Sequence, residues 1–245
     1  METNIIKNWL KEKGKLHFTL IDPDKQSSEK AAKLANLCES FGTDAIMVGG
    51  STIDQEITDK TTKEVKDSVK IPIILFPNSS NAISRFADYI FFMSMLNSKD
   101  RRFLIEEQLK GAPFIAKSKI KPIPLGYIVI STSKIPTTVE RVGNPDKIFE
   151  KDVEKAVAYA LAAKYFGFHC VYLEAGSGAE KPVPVEMVKE VKKNLDIPLI
   201  VGGGIRTPEA AKEIIKAGAD VIVTGTIIER DPEIQKKIIN TVKGR

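Results

Sequence analysis

The sequence predicts a single parallel α/β barrel. Short apolar strands alternate with helical stretches along the whole chain, the pattern of a parallel sheet wrapped by helices. The length of 245 residues suits one eightfold barrel of about 250 residues. The third observation is Pro198 to Glu229, PLIVGGGIRTPEAAKEIIKAGADVIVTGTIIE. It holds two strands, each ending in a bare glycine turn, one βα unit apart. Glycine N–H groups at strand ends, next to a helix start, cradle anions. A (β/α)8 (TIM) barrel builds its phosphate site from the loops after strands seven and eight. An open doubly wound sheet would usually carry its glycine fingerprint at the first strand. Composition does not break anywhere, so residues 1–245 read as one (β/α)8 domain.

The elements follow in order. Asn4 to Lys13 forms a short amphipathic helix, with Ile5, Ile6, Trp9 and Leu10 on one face, placed to cap the barrel bottom. Leu16 to Asp22 is the first strand, stopped at Asp22-Pro23-Asp24-Lys25. Ser27 or Ser28 caps the next helix, which packs through Ala31, Leu34, Cys38 and Phe41. Ala45 to Val48 is the second strand, ending in Gly49-Gly50-Ser51-Thr52, and Thr52 with Gln55 has capping-box spacing. Ile73 to Phe76 is the third strand. The segment after it, SSNAISRFAD, is short and polar at its start, so the helix there is expected to be reduced or missing. Tyr89 to Met95 is the fourth strand, with Ser98 as cap of a helix through Leu109. Ile123 to Ile130 is the fifth, a near-continuous apolar run as in a strand buried on both faces.

Ser131 to Phe149 is the longest connection, and long loops at a barrel top are often functional. A helix then reaches Tyr165 or Phe166. Val171 to Leu173 is the sixth strand, running into Glu174-Ala175-Gly176-Ser177-Gly178, and Val185, Met187, Val188 and Val191 support the following helix. Leu199 to Val201 and Val221 to Val223 are the last strands. Thr207-Pro208 opens one helix, and Asp231-Pro232 caps the final one, ending near Val242.

Hydrophobic residues are 42% and charged residues 28% of the chain, an ordinary globular composition. The net charge of +5 is spread without a long single-sign block, which disfavours nucleic acid and suits anionic substrates or an anionic membrane surface. Cys38 and Cys170 read as small core residues, so a reducing cytoplasm is the expected compartment. No apolar run marks a signal peptide or a membrane span.

Chemistry in such a barrel sits at the strand ends. The candidates are Asp22, Asp24, Lys25, Ser51, Thr52, Asn78, Asn97, Ser131, Glu174, Ser177, Gly203, Gly204, Gly225 and Thr226. Lys25 lies in a loop beyond the first strand, which disfavours Schiff-base chemistry. His17 and His169 fall near the barrel bottom and read as structural. One carboxylate, Asp22, facing the hydroxyls of Ser51 and Thr52 suits Mg²⁺, which keeps waters and takes phosphate oxygens as further ligands. A turn-capping role for Asp22 is the alternative. Glu174 is suited to hold substrate hydroxyls, or else forms an outward salt bridge. At this level an isomerase or aldolase of sugar phosphates and a non-catalytic phosphometabolite-binding barrel remain open.

LIDPDK, VGGST, ILFPNS, SMLNS, PLGYIV, YLEAGSGA, VGGGIRTPE and GADVIVTGT span nearly the whole chain. Through them the chain resembles the archaeal-type geranylgeranylglyceryl phosphate synthase family, which includes bacterial PcrB-type heptaprenylglyceryl phosphate synthases. YLEAGSG with IDPDK and FPNS is the specific combination, whereas the last two motifs recur in many phosphate-binding barrels. The resemblance implies a barrel with the helix after the third strand replaced. It also implies Mg²⁺-dependent transfer of a prenyl group, geranylgeranyl above all, to the primary hydroxyl of sn-glycerol 1-phosphate. Glycerol phosphate would contact Tyr172, Leu173, Glu174, Ala175, Gly176, Ser177 and Gly178, then Gly203, Gly204, Gly225 and Thr226. Mg²⁺ would contact Asp22 and Ser51, with Glu174 and Asp22 carrying the catalysis. The family often has Gly-Asn where this chain has Gly225-Thr226, a change of little weight if the contact is a backbone N–H. A homo-oligomer and peripheral membrane contact for the lipid product complete the expectation. Tyr89, Phe92 and Tyr127 are candidate walls of the prenyl groove.

Overall fold

The computed structural model describes residues 4–50 and 55–245. Its strands are β1 (Leu16–Ile21), β2 (Ala45–Val48), β3 (Ile73–Leu75), β4 (Tyr89–Met95), β5 (Lys121–Val129), β6 (Cys170–Glu174), β7 (Leu199–Gly202) and β8 (Val221–Thr224). All pair in parallel, each with its sequence neighbours, and β8 returns to β1 to close the barrel. Strand alternation gives each one an inner and an outer face. Phe18, Met47, Ile74, Phe91, Leu125, Ile200 and Val221 fill the inside. Val171, Leu173, Val201 and Ile222 face the helices.

Helix α1 (Ile5–Lys13) is capped by the Asn4 side chain, which accepts the Lys7 N–H. It closes the bottom of the barrel as expected: Ile6 is buried, and the Trp9 ring stands edge-on to Phe18 and Tyr89 at 6.2 and 5.4 Å. Tyr89 is therefore a floor residue and not a wall of any groove at the top. Ser27 caps α2 (Ser28–Phe41), and the αL residue Gly42 ends it. The capping box expected at Thr52 lies outside the described residues, and α3 (Gln55–Ser68) follows.

The helix after β3 is reduced to a single 3-10 turn, Ser80–Ala82. Helix α4 (Glu107–Lys117) leans across this gap, and a π-turn over Arg102–Glu106 leads into it. It runs past the expected end at Leu109 and accommodates Pro113. Asp100, not Ser98, receives the Arg102 N–H at its start, while the Ser98 hydroxyl accepts the Asp100 N–H and donates to Gly143 O. Glu107 fixes the lean by accepting the Ser80 N–H at 2.8 Å and the Ser80 hydroxyl at 3.0 Å. Gly111 is bare where it crosses Ile83, since a Cβ there would approach Ile83 Cδ1 to 2.8 Å.

The long connection after β5 folds into α5 (Thr138–Gly143), whose box pairs Glu140 with the Thr137 N–H. The remaining helices are α6 (Val153–Tyr165), α7 (Val185–Lys193), α8 (Pro208–Lys216), α9 (Thr226–Arg230) and α10 (Pro232–Val242). Met187, Val188 and Val191 bury the α7 face, while Val185, at its first position, stays half-exposed. No helix among the described residues is long and apolar enough to cross a membrane. Both cysteines are free and buried.

Under α10 lies a buried polar cluster. His17 Nδ1 meets Thr43 Oγ1 and its Nε2 meets Thr224 Oγ1, both at 2.9 Å, and Thr224 donates to Gln235. Burial, reinforced by the Lys243 ammonium, lowers the His17 pKa from 6.5 to about 3. The unfolded chain therefore binds a proton that the folded one refuses, and stability falls as pH drops from 6.5 toward 3. Between pH 7 and pH 5 the loss is about 2 kcal/mol. Urea midpoints at the two pH values measure it, and His17→Gln is expected to remove that slope.

Candidate active site

A cavity of about 290 Å³ opens at the C-terminal end of the barrel. A smaller apolar cavity of about 60 Å³ adjoins it through Phe103, Met93 and Tyr127, beside the missing helix. Phe92, Ile83 and Ile115 line this side groove, which a helix after β3 would otherwise cover.

The glycine cradle forms one wall of the larger cavity. Gly176, Gly178, Gly203 and Gly204 all have positive φ, between 70° and 97°. Space is as restrictive as conformation at three of them: a Cβ on Gly176 would approach Thr137 Oγ1. A Cβ on Gly203 would run into the Glu174 carboxylate and the Gly176 amide, and one on Gly204 would approach Lys181 O to 2.5 Å. Gly225 and Thr226 begin α9, so the amides of its first turn open on the same space. Arg206 braces the facing loop by donating to the carbonyls of Gly178, Ala179 and Glu180.

Strand alternation narrows the run from 172 to 178. Tyr172, Glu174, Gly176, Ser177 and Gly178 line the cavity. Leu173 and Ala175 turn their side chains outward into the helix layer, and the Ala175 amide is engaged by Gly202 O. Whatever these two contribute to a ligand comes from their backbone.

Glu174 ends β6 with its carboxylate buried, accepting the Gly176 N–H at 2.6 Å. Burial raises its pKa above the usual carboxylate value, against the pull of the Tyr172 phenol and the Gly176 amide. The outward salt bridge is thereby excluded. Tyr172 stacks on Phe76 at 5.7 Å and meets Tyr127 edge-on at 5.4 Å. Its buried hydroxyl is turned toward the Glu174 carboxylate without a hydrogen bond of full geometry among the described residues. Burial first, then the Glu174 charge and Tyr127, hold that phenol well above its ordinary pKa.

Across the mouth, Asp22 performs the turn-capping role: Oδ1 accepts the Asp24 N–H at 3.1 Å. Its other oxygen, Oδ2, lies 3.4 Å from the Lys25 ammonium, and both residues line the cavity. Ser51 and Thr52 lie outside the described residues. Asn78 lines the cavity, with its Oδ1 buried and unpartnered. Asn97 and Ser131 do not take part. Asn97 pins β4 to β5 through both the N–H and the C=O of Val129, and Ser131 donates to Glu140. Three participants escaped the sequence reading. Arg206 lies inside the VGGGIRTPE motif and Glu229 ends the glycine-turn stretch, yet nothing in the sequence marked either side chain for the cavity, whereas α5, which brings Val139 and Val142 to the rim, carried a visible Thr-x-x-Glu box.

Fold and site together define a (β/α)8 enzyme for a phosphate-bearing substrate, with room beside it for an apolar tail. Within that class the chain belongs to the PcrB family, whose family model matches residues 7–244. It is 52% identical over 226 residues to the geranylgeranylglyceryl phosphate synthase of Pyrococcus horikoshii, covering 92% of this chain and 88% of that protein. The wild-type GGGPS structure from Thermoplasma volcanium superposes with a TM-score of 0.92 at 45% identity, covering 99% of both chains. (S)-3-O-geranylgeranylglyceryl phosphate synthase from Thermoplasma acidophilum, solved in complex with substrate sn-glycerol-1-phosphate, gives 0.93 at 44% identity over 100% of both chains. An N-acetylmannosamine-6-phosphate 2-epimerase from Clostridium perfringens, at 17% identity and a TM-score of 0.59, shares the fold alone.

Proposed function

We propose that the protein joins a geranylgeranyl group, from its diphosphate, to the primary hydroxyl of sn-glycerol 1-phosphate through an ether bond. The observation that carries this reading is the continuity of two cavities. A phosphate cradle and a buried carboxylate open, past Tyr127 and Met93, into an apolar groove. A sugar-phosphate isomerase has no use for that groove.

The phosphate of the acceptor sits in the Gly203–Gly204 and Gly225–Thr226 turns, which orients its hydroxyl toward Glu174. The allylic C–O bond of the donor breaks, and its electron pair leaves with the diphosphate. The glycerol oxygen attacks the allylic carbon, and its proton passes to Glu174. A buried carboxylate with a raised pKa is suited to accept it. Phe76, Tyr127 and Tyr172 wall the reacting carbon from water.

The residues fit magnesium. Asp22 offers one carboxylate at its end of the cavity wall. Such a sparse set suits an ion completed by waters and substrate phosphate oxygens. Asp22 would hold the ion there, and the chemistry the ion would supply is neutralisation of the departing diphosphate. The same reading makes the protein a cytoplasmic homo-oligomer that meets the membrane only peripherally, to release a lipid product.

Incubation with sn-glycerol 1-phosphate, Mg²⁺ and labelled geranylgeranyl diphosphate is expected to yield a phosphate ether extractable into organic solvent, identified by its mass. Absence of product from any prenyl diphosphate would remove the proposal.

A further inference from the structure

The cavity must accept two anions, yet among the described residues three carboxylates line it: Asp22, Glu174 and Glu229. The cations on its wall are Lys25, Arg206 and Arg230. The Arg206 guanidinium is engaged by three backbone carbonyls. Arg230 ends α9, a full turn beyond Thr226. Lys25 differs from both. It stands on the 3-10 turn Pro23–Lys25 that follows β1, and its side chain crosses the mouth of the barrel.

The Lys25 ammonium lies 3.4 Å from Asp22 Oδ2 on one side and 3.3 Å from Ser177 Oγ on the other. Ser177 Oγ is in turn 3.2 Å from Thr226 Oγ1, at the start of α9. A single cation thus touches the carboxylate on the donor side and the hydroxyl pair on the acceptor side. Both contacts are long for charge-assisted hydrogen bonds, which favour about 2.7–2.9 Å. The side chain is more than one-third exposed, so it exchanges these partners for stronger anions at little cost.

Resting on the function proposed above, we propose that Lys25 is a shared phosphate ligand: its ammonium bridges the acceptor phosphate and the donor diphosphate and offsets their mutual repulsion. Two phosphate groups held a few ångströms apart repel strongly in a partly desolvated cleft. A cation between them converts that repulsion into two attractions. Lys25 therefore affects the affinity for each anion and, more specifically, the coupling between them.

Calorimetric titration of sn-glycerol 1-phosphate, with and without saturating inorganic pyrophosphate and magnesium, reads this directly. In the unsubstituted protein pyrophosphate is expected to change acceptor affinity by less than about threefold. Lys25→Met is expected to weaken each ligand alone by about tenfold, the worth of a charged hydrogen bond. In that variant, pyrophosphate is expected to weaken the acceptor by a further tenfold or so. Lys25→Arg keeps the cation and should restore the coupling. A disturbed fold would lower both affinities without changing their coupling, and thermal denaturation of each variant checks it. Wild-type affinities and coupling in Lys25→Met would overturn the role of Lys25 alone. Failure of the unsubstituted protein to bind sn-glycerol 1-phosphate would overturn the proposed function with it.

Discussion

Glu174→Gln is expected to lower kcat by about 10²- to 10⁴-fold, the range for loss of a positioned general base. Glutamine keeps the oxygen that accepts the Gly176 N–H and nearly the same volume, so the β6 loop should hold its shape. Acceptor binding should change much less than turnover, because in the proposed arrangement the glycine turns, and not this side chain, hold the phosphate. The pH profile offers a second reading. A base must be ionised to work, and burial places the Glu174 pKa above the ordinary 4.5. The rate of the unsubstituted enzyme is therefore expected to fall, as pH decreases, at a pH above that value. The residual rate of Glu174→Gln should lack this limb. A glutamine variant with near-normal kcat and the same acid limb would assign the proton to another group.

The barrel was legible because its signals are local and repeated. β2 and β4 fall where their apolar runs begin and end, and α10 starts at Asp231-Pro232 as its cap requires. The shortened stretch after β3 announced the gap in the helix ring. Glycine turns announced the cradle because both positive φ and close approach exclude other residues there. What stayed hidden depends on long-range geometry. Arg206 follows the glycine run by two residues, yet its partners are carbonyls more than 25 residues away in sequence. Helix α4 continues through Pro113, and Glu107 ties its first turn to Ser80 by a tertiary hydrogen bond that no propensity encodes. The assignment of Tyr89 to a groove failed for a related reason. Periodicity does not tell which end of a strand faces the mouth of the site, and only the closed barrel shows that Tyr89 meets Trp9 at the floor.

Asp22 tests whether a residue with an evident structural task also has a chemical one. Asp22→Asn preserves the capping oxygen for the Asp24 N–H, and the turn is further held by the Asp22 carbonyl, which accepts from Lys25 N and Gln26 Nε2. The substitution removes the charge facing Lys25, a partly exposed pair worth at most about 1 kcal/mol. For a chain of this size that corresponds to a Tm change of no more than about 4 °C. If Asp22 only capped the turn, turnover would survive almost unchanged. If, as proposed, it is the carboxylate that holds magnesium against the donor diphosphate, its loss should instead cost at least about 100-fold in turnover, or ~2.7 kcal/mol in the barrier. Because the weakened step is metal binding, raising magnesium should recover part of the loss in Asp22→Asn and none of it in Glu174→Gln. The two variants therefore separate charge neutralisation at the leaving group from proton removal at the acceptor.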